Sequence, residues 1–295
     1  MVTGTLLFQS LILGLLLGGL YALLAAGLTL YFGIMRVVML AHASFIILAG
    51  YIAWRFNVVT GLDPMFSLII SVPLFFLIGF AIQRWLISRL KPATMTMMSV
   101  LITFAIALII EGLLGMVYTG TQRRINLPYA ASNFNFFGAA IPVVQIVSFV
   151  LAGLSLGALY LLLKKSRFGR ALRATIQHRE AAQLLGIDTD KVAGFGFGLG
   201  LATAAVGGTA LALQATIYPS LHWHWIGPLM AIIVVGGLGS VPGAAIAALL
   251  LGVLRIMLEI PLGPTWAQTI FYVALFATLM VRPQGFFGGR LAQRF

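Results

Sequence analysis

The stretch that decides how this chain folds is MAIIVVGGLGSVPGAAIAALLLG, residues 230–252. It is apolar enough for the interior of a bilayer, yet Gly236, Gly237, Gly239 and Pro242 interrupt it. Glycine loosens the backbone, and proline removes a hydrogen-bond donor. Backbone groups freed at membrane depth persist only where they are buried in protein or line a wet cavity. A second interruption, FGIMRVVMLAHASFIILAGY at 32–51, lies near the other end of the chain. There an apolar helix is expected to stop at Gly33; Arg36 and His42 follow, and a short apolar segment resumes. Paired interruptions in the two halves of a chain point to a transport site. Two related halves are therefore expected, although no internal sequence identity marks the repeat. Ordinary short loops between close-packed helices would read the same way.

Composition fixes the solvent. Of 295 residues, 61% are hydrophobic and 8% are charged, against roughly 25% charged in a soluble domain. So few charges cannot cover a soluble surface, and the bilayer is the expected medium. The segments are continuously apolar rather than alternating, which favours helices over a β-barrel. The first basic residue is Arg36, so the run 6–31 is expected to be a membrane helix rather than a cleaved signal. Cysteine is absent, which excludes disulfides and thiolate chemistry. The net charge of +12 is read as loops facing anionic headgroups, not as a nucleic-acid surface.

Helices are expected at 6–31, 42–56, 65–90, 95–118, 142–163, 192–217, 226–238, 243–260 and 266–282. The fold class is an all-α integral membrane protein with about eight to ten crossings. The 42–56 and 226–238 segments look too short to cross alone and read as halves of broken or re-entrant helices. Three basic clusters are expected on the cytoplasmic side. They are Arg84, Arg89 and Lys91; Lys164 to Lys191; and Arg282, Arg290 and Arg294. The N-terminus and the turn-rich 119–141 loop then lie outside, and Arg123–Arg124 in that loop run against the trend. Gly194, Gly196, Gly198 and Gly200 alternate without a preceding strand or a following acid, so they predict close helix packing rather than a nucleotide loop.

Isolated polar residues are the candidates for chemistry. Glu111 stands in an apolar helix, where an acid is costly and often functional, or simply reaches the interface. Arg255 and Glu259 are spaced to pair on one helix face. His222 and His224 have H-x-H spacing, but no acid or third histidine is close in sequence, and Trp223 and Trp225 suggest an aromatic belt. No metal site and no catalytic motif is expected, and no Walker A lysine is present.

The polar interruption RATIQHREAAQLLGIDTDK (173–191) reads as two short ordered helices rather than slack chain. Gly186 suits a helix stop, and Asp188 or Thr189 suits the cap of the next helix. Its Ala-Ala-Gln-Leu-Leu patch fits either docking into a partner's groove or contact with headgroups.

Three segments in order carry a family resemblance: LGGLYALLAAGLTLYFGIMRVVMLAH, GRALRATIQHREAAQLLGIDTDKV and VVGGLGSVPGAAIAALLLGVL. Together they resemble branched-chain amino acid ABC importer permeases of the LivH type, over essentially the whole chain. The resemblance implies one permease domain, 1–295, with a cytoplasmic coupling loop at 164–191. Arg179, Glu180, Ala181, Ala182, Leu185, Gly186 and Ile187 would form the contact with an ATPase. It further implies a LivM-type partner permease, two cytoplasmic ABC ATPases that bind ATP and magnesium, and an extracytoplasmic substrate-binding protein. The chain itself would bind no cofactor, and its place would be the bacterial inner membrane. The substrate path is expected to include Tyr21, His42, Ser44, Glu111, Gly236, Gly237 and Gly239. The family usually has Asn, then Ala-His-Gly and an acid, at the first break; here Met39, Ala41, His42, Ala43 and Ser44 stand instead. A less polar path is implied, which leaves urea, amides and aromatic acids open beside branched-chain amino acids. The rival reading is a self-sufficient secondary transporter or channel, for which Glu111 is nearly the only coupling acid.

Overall fold

A computed structural model describes residues 2–35, 37–90, 94–130, 132–136 and 138–287. Arg36, Lys91, Arg290 and Arg294, invoked above for the first break and for loop orientation, lie outside the described residues. The helices are α1 (Val2–Met35), α2 (Ala41–Thr60), α3 (Leu68–Trp85), α4 (Met95–Tyr118) and α5 (Val143–Lys165). After them come α6 (Arg167–Gln177), α7 (Arg179–Leu184), α8 (Thr189–Gln214), α9 (His222–Gly236) and α10 (Val241–Val281). Seven of the described helical stretches are long and apolar enough to cross a bilayer.

The 119–141 loop is more ordered than its turn-rich sequence suggests. It holds an antiparallel hairpin of β1 (Asn133–Phe136) and β2 (Ala139–Pro142), the one sheet among the described residues. Gln9 at the start of α1 donates to the Ala140 carbonyl at 3.2 Å, so the hairpin marks one end of the bundle. The α6–α7 loop marks the other.

A straight helix of α10's length would run about 60 Å, twice a hydrocarbon core. It does not run straight. Gly263, between Pro261 and Pro264, has φ 76° and ψ 164°, and the helix folds back there. Tyr21 of α1 accepts a hydrogen bond from Arg255, and its ring lies 5.1 Å from Phe271. Those two residues would be about 24 Å apart on a straight helix. The two limbs are the expected crossings 243–260 and 266–282. The chain then returns to its starting level, where the Phe286 amide donates to Val235 at 3.0 Å.

α8 is the central helix, buried along nearly its whole length. Its alternating glycines serve packing: Gly198 backs onto Phe76 of α3, Gly207 onto Leu24 of α1 and Gly208 onto Ile46 of α2. Contacts of Gly196 with Ile34, Gly200 with Tyr31 and Gly207 with Leu24 show that α1 and α8 run antiparallel. Small residues let backbones approach where hydrocarbon gives no hydrophobic drive for association.

Two corrections concern the breaks. α2 is 20 residues long and is not a half-helix. The expected segment 42–56 stops short: the helix continues to a left-handed cap at Gly61, φ 69°. The interruption matching the first one is also not at 236–242. His42 Nε2 lies 2.9 Å from the Leu24 carbonyl, so α2 begins about 16 Å back from the Met35 end of α1. α9 likewise begins at depth, its Trp225 ring 5.5 Å from Tyr21. The chain therefore breaks twice in one way, at 37–40 before α2 and at 215–221 between α8 and α9. The glycine-rich 236–242 segment is instead a tight turn level with the end of α1.

Candidate functional site

Each mid-membrane helix start carries a fully buried histidine, and the two rings serve the backbone. His42 is 0% exposed. The Leu24 carbonyl can only accept, so His42 Nε2 carries the hydrogen, and Nδ1 receives the Tyr31 hydroxyl at 3.4 Å. His222 is also 0% exposed, and its Nδ1 donates to the Pro219 carbonyl at 3.1 Å.

The links before them are satisfied as membrane depth demands. Thr103 of α4 accepts from the Leu40 amide at 3.2 Å and donates towards the Val38 carbonyl at 3.3 Å. The backbones of Ile217 and Arg123 exchange two 2.8 Å hydrogen bonds. The Arg123 guanidinium lies 4.9 Å over Trp54, which gives this basic residue of the hairpin side a structural reason to be there. Sequence reasoning passed over Thr103, because a threonine in an apolar helix carries no signal until the link it faces is known.

The expected path residues fall into four places. Tyr21 is 1% exposed and sits where α1, α9 and both limbs of α10 meet. Arg255 donates to it, and no ion pair joins Arg255 to Glu259, contrary to the expected pairing. Geometry explains the choice: the Arg255 guanidinium also lies 5.8 Å over the Tyr21 ring. Ser44 is 1% exposed, one turn into α2 beside His42, and its hydroxyl has no partner. Glu111 of α4 accepts from the Trp223 indole at 3.1 Å and lies 3.7 Å from His222 Nε2.

Gly236, Gly237 and Gly239 form the turn from α9 to α10, with φ 95° at Gly237 and 85° at Gly239. A Cβ on Gly239 would sit 2.9 Å from the Cα of Gly33, so this turn rests directly on the end of α1. A cavity of about 270 Å³ opens beside that junction. It is walled by Phe32 and Gly33 of α1, Tyr160 of α5, Leu172 and Arg173 of α6, and Ser240.

The loop beyond the cavity is built as a rigid projection. Ser166 caps α6, accepting from Gly169 at 2.9 Å. α7 ends in a Schellman motif, with Ile187 N–H donating to Ala182 and Gly186 N–H to Gln183; Gly186 takes φ 80°. Gln183 donates to Thr189 at 2.9 Å, and Arg179 pairs with Asp190 at 2.6 Å. Asp188 caps α8 by accepting from the Lys191 amide at 3.0 Å. That hydrogen bond, with the Lys191 side chain, holds its carboxyl below the usual aspartate value.

Of the expected contact residues, Arg179, Glu180, Ala181, Leu185 and Gly186 are exposed and Ile187 is half-buried, while Ala182 is 2% exposed and packs inward. Leu184, absent from the expected set, is 89% exposed beside Leu185 at 81%. Its exposure depends on which face of a six-residue helix turns inward, and so many small apolar residues leave that face ambiguous in sequence.

Comparison with known proteins decides the family. A family model described as the permease component of branched-chain amino acid transport systems matches residues 10–280. The chain belongs to that family. The high-affinity branched-chain amino acid transport system permease protein LivH of Salmonella typhimurium is 28% identical, over 95% of each chain. The probable LivH permease of Methanocaldococcus jannaschii is 31% identical, over 91% of this chain and 89% of its own. Among solved structures, PsaBC from Streptococcus pneumoniae in complex with Fab matches with a TM-score of 0.50 over 93% of this chain and 92% of that one. At 12% identity that likeness speaks to the fold alone. The permease is thus a multi-pass membrane protein and the translocation component of a transport system.

Proposed function

We propose that the permease is one membrane half of an ATP-driven ABC importer in the bacterial inner membrane, carrying branched-chain or related amino acids. A LivM-type permease would complete the channel, and a binding protein would deliver solute on the hairpin side. Two ATPase subunits, which bind ATP and magnesium, would sit on the α6–α7 side, placing that loop and the C-terminus in the cytoplasm.

The observation that carries this reading is the pair Leu184 and Leu185, held out at the end of a helix closed by a Schellman turn in a chain of this family. Exposed leucines on a rigid projection cost solvation unless a partner covers them. Arg179, Glu180, Ala181, Gly186 and Ile187 would frame that contact, and Ala182 would anchor it from within.

ATP-driven closure of the ATPases would push α7 and, through it, α6. Because α6 borders the cavity beside Gly33 and Gly239, the push reaches the junction between α1 and the α9–α10 turn. Reorientation requires the ATP-bound partners to favour one arrangement of that junction over the other. Tyr21, His42, Ser44, Glu111, Gly236, Gly237 and Gly239 would line or shape the path.

Uptake of L-leucine into proteoliposomes containing the permease, its partner permease, the ATPases and the binding protein tests the reading. Uptake that requires ATP and all components supports it. Uptake by the chain alone, driven by an ion gradient and indifferent to ATP, overturns it.

A further inference from the structure

Glu111 is placed about 10 Å inside the hairpin-side end of α4. Its side chain is 26% exposed. The residues exposed around it on α4, Leu108 and Leu113 among them, are apolar. An ionised carboxylate turned towards hydrocarbon is costly, and acids at this depth face a cavity or a cation. Yet the one hydrogen bond Glu111 receives comes from a neutral group, the Trp223 indole at 3.1 Å. Among the described residues the nearest basic group is the His222 ring, 3.7 Å away, which is beyond hydrogen-bond reach.

His222 sharpens the point. Its Nδ1 hydrogen is committed to the Pro219 carbonyl. Its Nε2 is buried, has no partner, and faces the carboxylate. In the neutral ring Nε2 is an acceptor. Two acceptors then lie 3.7 Å apart, and a donor placed beside the pair, within reach of each, would satisfy both. An ammonium carries three N–H donors and one positive charge, which this pair lacks. Aromatic rings stand beside the pair: the Trp223 and Phe104 rings are 5.9 Å apart, and are 43% and 39% exposed. The faces of such rings attract cations. His224 on the same α9 turn is exposed.

We propose that Glu111 and His222 Nε2, flanked by Trp223 and Phe104, form a subsite for the primary ammonium group of the transported solute. It rests on the permease reading above and adds where the solute's charged end is first held after delivery. The first turn of α9 then both starts a mid-membrane helix and presents the solute contact.

The test separates this subsite from that reading. The permease complex in nanodiscs, without binding protein, is titrated by equilibrium dialysis with L-leucine and with 4-methylpentanoate, which has the same carbon skeleton but no amine. Glu111→Gln keeps an acceptor for Trp223 and removes only the charge. The expected result is leucine binding weakened roughly 10- to 100-fold, the worth of a hydrogen bond to a charged group, with 4-methylpentanoate unchanged. Trp223→Phe, which keeps a ring, is expected to cost less. Unchanged leucine binding in Glu111→Gln, an equal fall for both ligands, or no preference for leucine in the unaltered complex would each overturn the subsite. ATP-driven uptake by the unaltered complex, measured in parallel, judges the importer reading independently.

Discussion

Truncating Leu184 and Leu185 to alanine probes the coupling surface directly. The two side chains are 89% and 81% exposed, so nearly all of their apolar surface is free to be covered by a partner. Leucine to alanine removes about three carbons, and at about 0.8 kcal/mol per buried CH₂ each leucine is worth about 2 kcal/mol if docking covers it fully. At about 1.4 kcal/mol per decade, each single variant should weaken ATPase binding roughly 30-fold, and the pair more. The permease's own stability should move by no more than about 0.5 kcal/mol, because neither side chain packs within the chain. The assay is titration of labelled ATPase subunits onto nanodisc-embedded permease, with thermal unfolding as the stability control. Ile176→Ala, on the neighbouring helix and 43% exposed, should have a smaller effect. ATPase affinity unchanged in the double variant would refute the docking argument. Protection of α7 from amide exchange in nanodiscs without ATPase would show that the leucines rest on headgroups instead.

Other perturbations test the junctions inside the bundle. Gly239→Ala places a methyl 2.9 Å from the Gly33 Cα at a residue with φ 85°, and should cost about 1–3 kcal/mol, read as a lower unfolding temperature in detergent. His42→Phe removes the donor to Leu24 while keeping a ring, and should cost about 1–3 kcal/mol for the group left unpaired, with Gln at the same position less harmful. Asp188 is held below the ordinary aspartate value by the Lys191 amide, so its cap is complete above that value and is lost as pH falls through the lowered one. Amide exchange over 188–192, corrected for intrinsic rates, should therefore accelerate on acidification below the ordinary aspartate range, and Asp188→Asn should remove that dependence.

The sequence by itself determined the solvent, the helical class and most of the crossings. These follow from runs of apolar residues that must satisfy their own backbone in lipid. α4 at 95–118 was legible to the residue because apolar length sets its bounds. The ordered α6–α7 loop was legible because Gly186 and Asp188 are capping residues whose effect is local. What the tertiary structure alone decided is depth and facing. That His42 starts a helix beside Leu24, and that Gly239 meets Gly33, depend on contacts between residues far apart in the chain. The same is true of Thr103 closing the first link and of Glu111 meeting Trp223 across the bundle. Glycines at 236–242 signal a break in the chain but not its depth, and so the sequence pointed to the wrong partner for the first interruption. Local propensity says where a chain turns; only the packing of α8 against its neighbours says at what level in the membrane it does so.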